Sequence, residues 1–186
     1  MNYNNIRYLI FPCILSGIFL STGFSSQPKA SATESHASPG ATRSMAIDDL
    51  RKLALSGDAV GQAGYAERLI SGCGVQENPS EAAKFFKLAA DQGNELGLIS
   101  YGMCLSEGLG VEKDVVESNK YLKLAADKGS VRGQVAYGIS LASGIGVTKN
   151  ETEAARYFKL AADQGDVFGC LCYNKLRPPT GRDQQG

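Results

Sequence analysis

From residue 57 to residue 173, glycines and apolar residues recur at helical spacing, and the same face returns at a fixed interval. The motif Lys-Leu-Ala-Ala-Asp-(Gln/Lys)-Gly starts at 87, 123 and 159, so the pattern repeats every 36 residues. Within one period Gly97, Tyr101 and Leu105 fall four apart, which places them on one side of a helix. A Gly-x-Gly-Val element follows at 72–75, 108–111 and 144–147, and its first glycine suits a left-handed helix C-cap. Next come Asn78, Asp114 and Asn150, each with glutamate three residues on (Glu81, Glu117, Glu153), a variant of the capping box. Pro79 takes the first helical position, where its missing N–H costs nothing. A second helix then carries Phe85 and Phe86, Tyr121 and Leu122, or Tyr157 and Phe158, and stops at the next glycine. Each unit therefore reads as helix, short turn, helix.

A period of roughly 20 to 50 residues marks units that cannot bury their apolar faces alone and must stack. The quoted residues resemble the Sel-one-like repeat (SLR) family, a relative of the tetratricopeptide repeats. Tyr101-Gly102 and Tyr137-Gly138 take the Leu-Gly place of the family pattern, and Leu105 and Leu141 its tyrosine place. The first unit departs, with Ala66 where glycine is usual. The resemblance implies an all-α fold, a right-handed α/α superhelical solenoid of three full units plus terminal half-units. It also implies a non-catalytic scaffold or adaptor that binds protein partners.

The ends differ in composition. Residues 1–25 join Arg7, an apolar run over 8–20 and small residues, the layout of a signal peptide. Cleavage after Gly23 or Ser25 fits, Ala30-Ser31-Ala32 is a later option, and a retained anchor is the alternative. Such a leader predicts a secreted, periplasmic or envelope-associated protein, with membrane contact only if the segment is retained. Residues 26–43, rich in Ser, Ala, Thr, Pro and Gly, read as a disordered linker. Residues 44–56 read as a capping helix started by Ser44, residues 57–177 as the solenoid, and 178–186 as a disordered tail.

Nineteen basic and nineteen acidic residues leave no net charge, so nothing draws the chain to nucleic acid. Beyond the leader stand Cys73, Cys104, Cys170 and Cys172, no two at one repeat phase, so buried free thiols are expected. His36, the single histidine, lies in the linker, and no metal, cofactor or nucleophile–base constellation is present. Gly72-x-Gly74 is a helix end and not a phosphate loop, and Asn150-Glu151-Thr152 serves as a cap.

Two surfaces remain as interaction candidates. Lys84, Lys87, Lys120, Lys123, Arg156 and Lys159 form a ridge along the second helices, with Glu81, Glu117 and Glu153 placed for ion pairs. The first helices carry the predicted partner groove: Leu96, Ile99 and Met103, then Arg132, Val135 and Ile139, flanked by equivalent positions of units one and four. The same stripe is also what plain core burial would look like. Two other functional readings stand beside the adaptor. One is a β-lactamase-like or penicillin-binding activity, as in disulfide-rich SLR relatives; the other is a self-assembling structural piece.

Overall fold

The computed structural model describes residues 46–176, which form eight α-helices and no strand. They are α1 (Ile47–Leu55), α2 (Ala59–Ser71), α3 (Pro79–Asp91), α4 (Glu95–Glu107), α5 (Val115–Asp127), α6 (Val131–Ser143), α7 (Glu151–Asp163) and α8 (Val167–Leu176). Each packs on its neighbours in sequence, and α2 also touches α4 across the units. The result is an α-helical solenoid: α2–α3, α4–α5 and α6–α7 are the three units, α1 precedes them and α8 opens a fourth. The leader over 1–25, the linker over 26–43 and the tail over 178–186 lie outside the described residues.

Local chemistry sets the helix ends. Gly72, Gly108 and Gly144 cap the first helices with φ of 66°, 74° and 74°, as the left-handed position requires. Asn78 and Asn150 accept from the N–H of Glu81 and Glu153 at 3.2 and 3.0 Å, and Asp114 accepts from Glu117 at 2.9 Å. Only half of the capping box forms. The cap residues' own N–H groups reach back to the carbonyls of Leu69, Leu105 and Leu141 in the preceding helices. That bond closes the turn and frees Glu117 and Glu153 to pair with Lys120 and Arg156. The first helices have caps as well: Asp58, Asn94, Ser130 and Asp166 accept from Gly61, Gly97, Gly133 and Gly169. At the start of the chain, α1 begins later than expected, behind Ala46, with no side-chain cap.

Packing within a unit is aromatic. Tyr65 meets Phe85, Tyr101 meets Tyr121, and Tyr137 meets Tyr157, all edge-on with centroids 5.2, 4.9 and 5.1 Å apart. Such pairs add roughly 0.5–1.5 kcal/mol each beyond area burial. Packing between units depends on small residues. At Gly97 a Cβ would lie 2.6 Å from the Ala90 nitrogen and 2.7 Å from the Ala89 Cβ, so α4 presses directly onto α3.

The core falls into two clusters that meet at α5. Where units one and three carry Ala82-Ala83 and Ala154-Ala155, unit two buries Ser118 and Asn119. Ser118 Oγ donates to the Gly102 carbonyl at 2.6 Å, and Asn119 Nδ2 donates to Ile145 at 2.7 Å in the next unit's loop. Both buried polar groups are thus satisfied, as burial demands.

Candidate functional site: the face of the first helices

The caps and glycines dictate which face the first helices offer. Gly97 and Gly133 press on the second helices before them, α3 and α5. Residues about half a turn away must point elsewhere, and these are Leu96, Ile99 and Met103 on α4 and Val135 and Ile139 on α6. Leu96, Met103, Val135 and Ile139 are half-buried, and Arg132 is exposed. Ile99 is 3 % exposed and belongs to the first core cluster, so it supports the face from below. Its counterpart Leu171 on α8 is 64 % exposed.

The second helices present a different surface. Lys87, Lys123 and Lys159 pair with Asp91, Asp127 and Asp163 four residues on, while Lys120 and Arg156 pair with Glu117 and Glu153. The expected Glu81–Lys84 pair does not form; Asn78 Nδ2 donates to Glu81 instead, at 3.0 Å. Exposed pairs of this kind contribute at most about 1 kcal/mol each. Leu88, Leu124 and Leu160 stand exposed among them in register. One network crosses units: Tyr157 Oη donates to Asp127 at 2.8 Å, and Arg156 lies 4.4 Å over the Tyr157 ring. Burial alone would raise the Asp127 carboxyl, but the hydrogen bonds from Lys123 and Tyr157 outweigh it and hold the group below its ordinary value.

Two pockets lie at one inter-unit turn, of about 420 and 310 Å³. Glu95, Lys128 and Ser130 line both, and the larger adds Arg132 and Gln164. At the flanking turns a glutamine pair ties this edge: Gln92 Nε2 donates to Gln62 and Gln164 Nε2 to Gln134, at 2.8 and 2.9 Å. Unit two has Leu98 and Lys128 in those places, so the tie is missing. Lys128 Nζ donates to the Gly93 carbonyl at 3.2 Å, and Ser130 Oγ to Glu95 at 2.6 Å. Reading each unit by itself overlooks this pocket. Aligning 92, 128 and 164 by the repeat would have exposed the lysine as the odd residue.

No group of three or more His, Cys, Asp or Glu residues gathers to hold a metal among the described residues. The four described cysteines are unpaired. Cys104 is buried as expected, but Cys73 is exposed because its turn projects from the packed helices. Burial pushes the Cys104 thiol up to about 11.

Comparison with known proteins agrees with this architecture. The Sel1 repeat matches at residues 59–94, 96–130 and 131–166, more than half of the chain, which therefore belongs to the Sel1 repeat family. Proteins of this family generally act as non-catalytic protein-interaction scaffolds. A Sel1 repeat protein from Oxalobacter formigenes is similar in structure, with TM-score 0.64 and 29 % identity over 69 % of this chain and 97 % of its own. The SLR-fold protective antigen c5321 of uropathogenic Escherichia coli has TM-score 0.64 and 30 % identity over 66 % of this chain. Only 26 % of that antigen is covered. Helicobacter pylori cysteine rich protein B shares the fold at TM-score 0.56 and 21 % identity, over 68 % of this chain and 96 % of its own. No match was found among curated proteins.

Proposed function

We propose that this chain is an exported adaptor that holds a protein partner against the face of its first helices. The observation that carries this reading is the half-buried apolar row of Leu96, Met103, Val135 and Ile139, bordered by exposed Arg132. Met103 and Ile139 pack against the two core clusters from below, and half-burial leaves part of each of the four side chains open to a ligand. Contact between α2 and α4 supports the first helices as the inner, concave side. A groove of this kind takes an amphipathic helix or an extended segment through apolar anchors. Export rests on the charged and apolar layout of residues 1–25.

Site-specific photo-crosslinking tests the reading. A crosslinker at Val135 should trap a defined protein in cells of the source organism, and Leu96→Glu should abolish that adduct while the helical spectrum stays unchanged. A crosslinker at Lys84, on the opposite face, should trap nothing in common with it. Equal adducts from both positions, or survival of the Val135 adduct in Leu96→Glu, would remove the groove from the account. Fractionation with an antibody to the chain tests export, and recovery with cytoplasmic markers would overturn that part.

A further inference from the structure

The charges at the turn between units two and three have no counterpart elsewhere in the array. Arg132 stands where the other units have Val60, Leu96 and Phe168, and Lys128 where the two flanking turns have Gln92 and Gln164. The solenoid folds without charge at either position, so its packing does not call for these cations. Arg132 is exposed and forms no ion pair among the described residues. The Lys128 ammonium makes a single hydrogen bond among the described residues, to the Gly93 carbonyl. Together they line the pocket of about 420 Å³ left open by the missing glutamine tie. Glu95 faces the same pocket, but its carboxylate is already engaged by Ser130. The two cations against one carboxylate leave the pocket net positive. On α6, Val135 and Ile139 continue from Arg132 at helical spacing, so apolar row and cationic pocket adjoin.

We infer that the occupant of the groove is an acidic, apolar peptide segment, with an Asp or Glu side chain seated in the pocket at Arg132 and Lys128. This rests on the groove reading above and adds the chemistry of its partner. The guanidinium offers a planar fork of donors to a carboxylate, which an ammonium does not. Apolar side chains of the segment then lie on Leu96, Met103, Val135 and Ile139. Charge complementarity sets its register along the groove.

The test is selection of random dodecapeptides displayed with their C-termini fused to the carrier, so that side chains supply the only carboxylates. Full-length protein is the bait, and selected peptides are then titrated against Arg132→Glu, Arg132→Lys and Leu96→Glu. The expected peptides pair Asp or Glu with Leu, Ile or Phe. Arg132→Glu should weaken them at least tenfold, and Arg132→Lys should weaken them less. Arg132 is exposed, so its replacement leaves folding intact, which circular dichroism checks. Peptides without acidic enrichment, or peptides indifferent to Arg132→Glu but lost in Leu96→Glu, would overturn this inference and leave the groove standing. Failure to select any peptide, or peptides indifferent to both changes, would overturn both.

Discussion

Gly97→Ala isolates the principle that holds the units together. Taken alone, this substitution favours the helix, because alanine inside a helix is better than glycine by roughly 0.8–1.0 kcal/mol. The structure reverses the sign. The added Cβ would meet the Ala90 nitrogen at 2.6 Å and the Ala89 carbonyl carbon at 2.8 Å. Both are backbone atoms of the preceding helix and its end, and neither can rotate away. Relief requires α4 to move off α3, in the class of overpacking changes that cost about 1–3 kcal/mol. Moving α4 also loosens the neighbouring contacts of Leu98 and Cys104, both buried. The net expectation, after the helix-propensity gain is subtracted, is destabilisation of up to about 2 kcal/mol. Gly102→Ala serves as the control, since its Cβ would meet a movable Leu122 methyl at 3.1 Å. Urea denaturation followed by circular dichroism reads both, with Gly102→Ala within about 1 kcal/mol of the parent. A Gly97→Ala protein more stable than the parent by roughly the full 0.8–1.0 kcal/mol of helix propensity would refute close helix approach as the reason for this glycine.

Two further outcomes depend on groups in the solenoid. Cys104, buried and pushed up to about 11, should resist a maleimide at pH 8 until the protein unfolds, whereas exposed Cys73 reacts in the native state. Peptide mapping by mass spectrometry distinguishes them, and equal native labelling would contradict the packing of α4. Tyr157→Phe removes the hydrogen bond to Asp127 and should cost about 0.5–1.5 kcal/mol at neutral pH. Because the Asp127 carboxyl is held low in the fold, the stability it contributes is present above the ordinary carboxyl range and fades as pH falls through the folded value. The difference between parent and variant should therefore shrink on acidification, and a pH-independent difference would assign the loss to packing alone.

Much of this architecture was legible in the sequence because a repeat states its rules several times. Three copies of Gly-x-Gly-Val and three Asn or Asp positions before glutamate located the second helices, and the structure begins them at 79, 115 and 151. The caps of the first helices were harder to see, since Asp58, Asn94, Ser130 and Asp166 differ in kind and follow a glycine that already reads as punctuation. Burial was less legible still. Periodicity puts Ile99 and Met103 on one face, but only the packed helices show that Ile99 is core and Met103 half-open. The pocket at Lys128 was hidden for the opposite reason. It depends on a departure from the repeat, and residues 98 and 128, thirty positions apart, acquire meaning only when the flanking Gln62–Gln92 and Gln134–Gln164 pairs are seen to touch.

The central claim is that the first helices bind a protein segment, and backbone NMR with a selected peptide tests it most directly. Amide shifts should be confined to 95–106 at α4 and to 128–142 along the pocket turn and α6, with Arg132 and Val135 among the largest. Shifts clustered instead along Lys84, Lys120 and Arg156 would contradict it and move recognition to the second helices.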